Sequence, residues 1–194
     1  SLKICNNFYK LITKKTVKSP SIKIAEMSKL LENIYRSINI ALINELKIAT
    51  TKLDIDIYDV IKIASTKPFG FQKFFPGPGT GGHCIPIDPI YFSWLSKKKG
   101  VNVKFIELSS KINQIRTKWI IKKLKTIAKK ISSPKILLLG LSYKKNIEDT
   151  RESASIKILE DLLKQKYAID YSDPFNQKIV LNYRKKRKVL FSKK

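Results

Sequence analysis

The stretch Lys135-Ile136-Leu137-Leu138-Leu139-Gly140 decides the fold class, because a short apolar run of strand length is closed there by a glycine. A polar loop and a predicted helix over residues 153–165 follow it, and then a second apolar segment over residues 168–171 that ends at Asp173-Pro174. A strand, a helix and a strand in this order predict a parallel βαβ unit, and residues 189–191 are expected to form the next strand. The sequence therefore predicts an α/β protein that ends in a partial Rossmann-like parallel sheet.

The region before this unit is predicted to be helical. A long helix is expected over residues 22–50, where apolar side chains recur at helical spacing without an interior glycine or proline. Further helices are expected over residues 54–64, 88–100 and 106–131, and Ser132-Ser133-Pro134 then marks a domain boundary.

The first 20 residues are expected to form a short helix and a strand-like piece at residues 16–18. They resemble the tail of an element whose beginning is absent, and we expect truncation at both ends of the chain. The predicted domains are residues 1–20, a central helical domain over 21–131, and a partial sheet domain over 132–194.

The chain carries 40 Lys and Arg against 15 Asp and Glu, a formal net charge of +25. One interpretation is nucleic-acid binding, because clustered cations neutralise phosphates. The other is compositional bias, because the lysines are scattered along every segment and only residues 184–188 form a dense basic run. We favour the second interpretation and expect no specific nucleic-acid partner, although part of the charge could attract an anionic small substrate.

Cellular setting and metal content are also constrained by composition. No apolar run approaches the roughly 20 residues of a membrane span, so no membrane partner is expected. Cys5 and Cys84 are too far apart in the sequence to indicate a disulfide framework, which favours a reducing, cytoplasmic setting. One histidine and two distant cysteines do not supply the usual zinc ligand set, so no metal is expected.

The most distinctive motif is Phe74-Phe75-Pro76-Gly77-Pro78-Gly79-Thr80-Gly81-Gly82-His83-Cys84-Ile85-Pro86-Ile87-Asp88-Pro89. Glycine permits close approach of the backbone to a ligand and proline fixes φ, so the loop is suited to shape a pocket. Cys84 is a candidate nucleophile, with Asp88 four residues further on. The alternative for a lone cysteine is a buried small hydrophobic side chain.

Two other segments carry candidate chemistry. Lys29 and Asn33 are four residues apart on the long predicted helix, so an ammonium and an amide project from one face and could stabilise an oxyanion. The alternative for that pair is a solvated helix face. The loop over residues 140–153 follows the first strand of the βαβ unit, where open α/β sheets bind ligands, and its Lys144 and Arg151 could meet phosphates.

Taken together, residues 25–33, 76–89 and 149–153 closely resemble the UDP-glucose/GDP-mannose dehydrogenase family, and the resemblance covers essentially the whole chain. The segment from His83 to Pro89 is similar to the branch that oxidises UDP-N-acetylhexosamines such as UDP-N-acetylglucosamine. Glucose-specific members more often carry a lysine where this chain has Ile87, which supports the amino-sugar branch.

The resemblance implies an NAD-dependent, two-step oxidation of a sugar C6 alcohol to a carboxylate, for surface polysaccharide precursors. Cys84 would form a thiohemiacetal and then a thioester, and Asp88 would assist its hydrolysis. Lys29 and Asn33 would stabilise the oxyanions and contact the substrate. The other implied substrate-binding residues are Phe75, Gly77, Gly79, Gly81, Tyr143 and Lys144.

The resemblance also assigns Cys84 and Arg151 to NAD and implies a homodimer through the helix over residues 22–50. Residues 1–20 would be the remnant of an NAD-binding domain, and residues 132–194 part of a UDP-sugar-binding domain. Most of the family's NAD-binding domain and a catalytic glutamate are not in this sequence. The alternative hypothesis is therefore a truncated, inactive remnant that only dimerises or binds UDP-sugar.

Overall fold

The computed structural model describes residues 1–183 and 186–193, and it divides the chain into two compact units, Ser1–Glu32 and Asn33–Lys194. The helices are α1 (Leu2–Lys10), α2 (Ile22–Lys52), α3 (Ile57–Ala64), α4 (Asp88–Lys98), α5 (Lys104–Ala128) and α6 (Ala154–Lys164). The strands are β1 (Lys135–Leu139), β2 (Ala168–Ser172), β3 (Lys178–Tyr183) and β4 (Lys186–Phe191). Each predicted helix is present with its bounds shifted by a few residues. No helix in the described ranges is long and apolar enough to cross a membrane.

The first unit contains α1, an irregular segment and the beginning of α2. The hydroxyl of Thr16 donates a 3.0 Å hydrogen bond to Asn6 Oδ1, which ties the irregular segment back to α1. The prediction of a strand-like piece at residues 16–18 is wrong. A strand requires a hydrogen-bonded neighbour, and none of the described strands pairs with this segment.

Helices α2 and α3 pack against each other through a small apolar cluster. Ile43 of α2 lies against Ile57 and Ile61 of α3, with Phe74 packed on them. The side chain of Asp56 caps α3 by accepting a 2.8 Å hydrogen bond from the Tyr58 N–H. This packing fixes the start of the glycine-rich loop, because Phe74 opens it.

The predicted βαβ unit is confirmed. β1 pairs with β2 in parallel, from Lys135 opposite Ala168 to Leu139 opposite Ser172, and α6 is the crossover helix. The Ser153 hydroxyl accepts from the N–H of Ile156 and also donates to the Leu141 carbonyl at 2.6 Å, which joins the start of α6 to the end of β1. The core of this part contains Ile121, Leu141, Ile158, Leu159, Leu162, Leu163, Ile169, Tyr171, Ile179 and Leu181.

The strand predicted at residues 189–191 is present within β4, but it does not extend the parallel sheet. β4 pairs antiparallel with β3, which the sequence analysis did not predict, and the two form a separate sheet. Only residues 184 and 185 separate the two strands, whereas a parallel crossover needs a dozen residues or more. Arg184 and Lys185 of the predicted basic run lie outside the described residues.

Candidate active site

Cys84 lies in a helical turn that leads directly into α4. Its carbonyl accepts hydrogen bonds from the N–H groups of Ile87 at 3.1 Å and of Asp88 at 2.8 Å. The cysteine is exposed and is not in a disulfide. The alternative of a buried structural cysteine is therefore wrong, and the thiol is accessible to a ligand.

Asn33 and Asp88 are brought together, as a shared role requires. The Asn33 side chain is only 2% exposed, and its Nδ2 donates a 2.6 Å hydrogen bond to Asp88 Oδ2. Its Oδ1 accepts a 2.6 Å hydrogen bond from Arg36 Nη2. Because one end of the amide faces a cation and the other a carboxylate, its orientation is fixed beside Asp88.

Lys29 belongs to the first compact unit, and its role in the site stays a prediction. Its side chain is 64% exposed, and Nζ lies 3.5 Å from Glu32 Oε2 one helical turn further on. An exposed ion pair of this kind contributes little to stability, so the ammonium is not held tightly in one position.

Two glycines allow the cysteine loop to lie against the loop that follows β1. A Cβ atom on Gly81 would come within 2.6 Å of the Tyr143 Cβ, and one on Gly82 within 2.7 Å of the Tyr143 ring. The Gly82 N–H donates to the Arg151 carbonyl at 2.9 Å. The glycines are therefore required for close approach between the two loops.

Arg151 and Asp149, both in the loop that follows β1, form an ion pair close to the cysteine loop. The Asp149 carboxylate accepts hydrogen bonds from Arg151 Nε at 3.0 Å and from Nη2 at 2.6 Å. The Arg151 side chain and backbone lower the pKa of Asp149 to about 2, and His83 contributes in the same direction. The Arg151 pKa is raised mainly by Asp149, with smaller effects of Tyr143 and Cys84, which places these groups in one electrostatic neighbourhood.

Asp173 organises the carboxyl end of β1. One carboxylate oxygen accepts from the Leu141 N–H at 2.7 Å, and the other accepts from the N–H groups of Phe175 and Asn176, both at 2.8 Å. Burial raises the pKa of Asp173, but the backbone donors outweigh it and the net pKa is lowered. The carboxylate therefore fixes both the loop after β1 and the loop after β2.

A cleft of about 540 Å³ opens at this end of the sheet. This is the position where open α/β sheets bind ligands. The residues that line the cleft include Pro78, Gly79, Gly81, Tyr143, Lys144 and Phe175.

Four of the predicted substrate residues, Gly79, Gly81, Tyr143 and Lys144, thus share one cleft. Phe75 and Gly77 lie just before Pro78 in the same loop and are not among the residues that line this cleft. The Phe75 ring stacks on Tyr58 with 6.3 Å between the ring centroids. Sequence reasoning missed several polar residues that hold these loops or that hold the side chains in contact with them. They are Arg36, Asn44, Asn113, Arg116, Thr117 and Asp173. The available signal was an asparagine at core-facing positions of helices that are otherwise apolar there, as at Asn44 and Asn113.

Comparison with known proteins identifies two matching domains of one family. Residues 23–115 match the central domain of the UDP-glucose/GDP-mannose dehydrogenase family, and residues 137–193 match its UDP binding domain.

Individual relatives agree with this result. The chain is 38% identical over 178 residues to the UDP-N-acetyl-D-mannosamine dehydrogenase of Methanococcus vannielii, covering 90% of this chain and 40% of that protein. It is 35% identical over 172 residues to the UDP-N-acetyl-D-glucosamine 6-dehydrogenase of Pseudomonas aeruginosa, covering 87% of this chain and 40% of the relative. The chain thus spans about 40% of the length of these relatives.

A solved structure shows the same fold. The UDP-N-acetyl-mannosamine dehydrogenase Cap5O of Staphylococcus aureus superimposes with a TM-score of 0.74 at 34% identity, over 90% of this chain and 40% of Cap5O. Both matched domains come from one family and together span most of the sequence. This chain belongs to the UDP-glucose/GDP-mannose dehydrogenase family.

Proposed function

We propose that this chain provides the cysteine site and the nucleotide-sugar cleft of an NAD-dependent UDP-N-acetylhexosamine 6-dehydrogenase that makes precursors of surface polysaccharides. The observation that carries the proposal is the Asn33–Asp88 hydrogen bond of 2.6 Å beside the turn that exposes Cys84. Relatives named for the mannosamine and the glucosamine derivatives both match, which supports a UDP-N-acetylhexosamine as the substrate class.

The proposed reaction oxidises the sugar C6 alcohol in two stages. The alcohol loses a hydride and a proton to give an aldehyde, and the Cys84 sulfur then adds to the aldehyde carbon. The tetrahedral thiohemiacetal loses a second hydride from the same carbon and the proton of its hydroxyl group, which gives a thioester. Water cleaves the thioester, which releases the carboxylate and regenerates the thiol.

Asp88 is proposed to take the proton from the attacking water, since its carboxylate lies at the start of α4 and its N–H contacts the Cys84 carbonyl. Asn33 holds that carboxylate in place through Nδ2. Together with Lys29, whose role rests on the sequence motif, Asn33 is proposed to stabilise the alkoxide and the later oxyanions.

The UDP part of the substrate is proposed to occupy the cleft after β1. The backbone of Gly79 and Gly81 and the side chains of Tyr143 and Lys144 line this cleft. Lys144 is exposed and can place a cation against a diphosphate. Phe75 and Gly77, which lie just before Pro78 in the same loop, are proposed to contact the nucleotide sugar as well.

Two molecules of NAD, bound one after the other, would supply the acceptors for the two hydrides, one hydride each. From this chain we assign Cys84 and Arg151 to the NAD site. Arg151 fits this assignment because its side chain is 65% exposed and lies in the same electrostatic neighbourhood as Cys84. Its guanidinium is paired with Asp149, so a pyrophosphate would have to share or replace that carboxylate. A guanidinium in this position suits the pyrophosphate of a dinucleotide.

A homodimer through α2 is part of the proposal. Tyr35, Leu42 and Leu46 share one face of α2, and their side chains are exposed in the single chain. Burial of such an apolar stripe against a second copy would remove it from water. The cytoplasm is the proposed compartment, because an exposed nucleophilic thiol such as Cys84 needs reducing conditions.

The test is NADH formation with UDP-N-acetylglucosamine and UDP-N-acetylmannosamine, using this chain alone and mixed with the NAD-binding half of a relative. We expect turnover in the mixture that Cys84→Ala abolishes and Cys5→Ala, the matched control at the other exposed cysteine, preserves. Binding of UDP-sugar without turnover in any mixture would favour the inactive-remnant hypothesis. Absence of both binding and turnover would reject both functions.

A further inference from the structure

Gly77 is held by side chains from two different helices. Its N–H donates to Asn44 Oδ1 of α2 at 2.9 Å, and its carbonyl accepts from Arg116 Nε of α5 at 3.1 Å. Pro76 and Pro78 flank it and fix their own φ angles. The peptide groups of Gly77 are thus fixed by side chains from distant parts of the chain.

The Asn44 side chain, which accepts from the Gly77 N–H, is itself held in place by a buried series of side-chain amides. Asn44 Nδ2 donates to Asn113 Oδ1 at 3.0 Å, and Asn113 Nδ2 donates to the Ser37 carbonyl at 3.1 Å. Both asparagines are buried. Because both ends of each amide have a partner, neither side chain can turn over without leaving a buried polar group unsatisfied.

The donor to the Gly77 carbonyl is the guanidinium of Arg116, a charged group whose burial is unfavourable. Arg116 is only 7% exposed, and its guanidinium lies 4.6 Å from the centre of the Trp119 ring. Burial lowers its pKa, and Nη1 has no hydrogen-bond partner within the described ranges. An apolar side chain of similar length would cost less to bury, so folding stability alone does not account for an arginine here.

The next two residues of the loop, Pro78 and Gly79, also contact α5. The Thr117 hydroxyl donates to the Pro78 carbonyl at 2.6 Å. A Cβ atom on Gly79 would lie 2.8 Å from Thr117 Oγ1, so the backbone rests directly on α5. Pro78 and Gly79 are also part of the cleft wall. A movement of the Gly77 peptide would therefore shift the cleft wall, because the next two residues are part of it.

We propose that Arg116 and Asn44 are positioning residues, which hold the Gly77 peptide and thereby set the shape of the loop that receives the nucleotide sugar. This inference rests on the proposed function for its ligand, and on the two hydrogen bonds to Gly77 for its mechanism. Neither side chain needs to touch the substrate. They act by keeping the wall of the cleft in its binding shape before the ligand arrives, which reduces the ordering cost of binding.

The decisive variant is Arg116→Met, which retains an apolar stem but removes the donor to the Gly77 carbonyl. The matched control is Lys122→Met, at an exposed lysine on the same helix. We expect Arg116→Met to keep or raise the thermal midpoint, because a buried cation is lost. We expect it to weaken the affinity for UDP-N-acetylglucosamine about tenfold, the size of a lost hydrogen bond from a charged donor. Arg116→Lys restores one donor and should recover part of the affinity.

Hydrogen exchange of the peptide that covers residues 74–82 gives a readout that does not need the ligand. Faster exchange there in Arg116→Met, with the rest of the second unit unchanged, supports the inference. Equal loop exchange and equal affinity in a folded Arg116→Met protein would overturn it. Wild-type protein that binds no UDP-sugar would instead overturn the proposed function and with it the assigned ligand, whatever the exchange experiment shows about the loop.

Discussion

The side-chain amide of Asn33 donates a 2.6 Å hydrogen bond to the carboxylate of Asp88, which lies 55 residues further along the chain. The contact joins the long helix α2 to the first residue of α4, next to the turn that presents Cys84. Two residues that the motifs select separately are therefore in one site. The carboxylate that is proposed to activate water has a fixed neighbour, which limits the directions in which it can accept a proton.

Replacing Asp88 with Asn should slow the hydrolytic step. An amide can keep a hydrogen-bonding oxygen near Asn33, but it cannot take a proton from water, so turnover should fall roughly 10²–10⁴-fold. The reconstituted enzyme should then accumulate a covalent adduct on Cys84, which mass spectrometry of the quenched reaction detects. Asp59→Asn, an exposed carboxylate in the first turn of α3, is the matched control. Fast turnover without an adduct in Asp88→Asn would contradict the assigned role.

The contact between the cysteine loop and the loop after β1 is so close that one added methyl group should lower the stability of the protein. Gly81→Ala would place a Cβ 2.6 Å from the Tyr143 Cβ, which must move the Tyr143 backbone or the cysteine loop. We expect a loss of about 1–3 kcal/mol in the free energy of unfolding, typical of overpacking. Gly77→Ala is the control for stability, because its added Cβ would meet the nearest atom at an ordinary 3.6 Å. Equal denaturation midpoints for the two variants would contradict the close approach.

Removing the charge of Asp173 should destabilise the protein in a pH-dependent way. Asp173→Asn replaces one acceptor with an NH2 group that faces backbone donors, so at pH 7 the free energy of unfolding should fall by about 1–3 kcal/mol.

The sign of this pH dependence follows from the lowered pKa of Asp173 in the folded state. A carboxylate of this kind contributes its stability above its unfolded pKa of about 3.9, and loses it as pH falls through the folded value. The gap between wild type and Asp173→Asn should therefore narrow below about pH 4. Urea titrations at several pH values measure it, and Asp170→Asn, an exposed carboxylate on β2, is the control. A constant gap down to low pH would refute the assignment.

The apolar stripe on α2 predicts the oligomeric state. Leu42→Glu places a charge in the middle of the stripe, where the leucine is 51% exposed in the single chain, and should shift the protein from dimer toward monomer. Light scattering after size-exclusion chromatography measures the mass. Leu53→Glu is the control, because this leucine is also exposed but follows the end of α2. A monomeric wild type, or a dimer that Leu42→Glu leaves intact, would exclude α2 as the interface.

Much of this architecture could be predicted from the sequence. The helices and the parallel pairing of β1 with β2 follow from apolar periodicity, chain-breaking residues and the short glycine-closed strand, all of which act between near neighbours. The cysteine motif also contained its own local geometry, because the turn from Cys84 to Asp88 spans only a few residues.

Tertiary structure alone decided the rest. The antiparallel pairing of β3 with β4 was not predicted, because neither strand shows a strong alternation of apolar and polar residues. It depends on the short connection between the two strands. Hydrogen bonds join Gly77 to Asn44 and Arg116, and others join the loop after β1 to Asp173. In each case the partners are more than 30 positions apart in the sequence. Local rules do not specify such contacts, because a buried amide, guanidinium or carboxylate takes whichever partner the packed elements bring within about 3 Å. The sequence by itself therefore determined the helices, the parallel βαβ unit and the choice of candidate residues. The packing of the helices on the sheet determined which side chains hold those candidates in place.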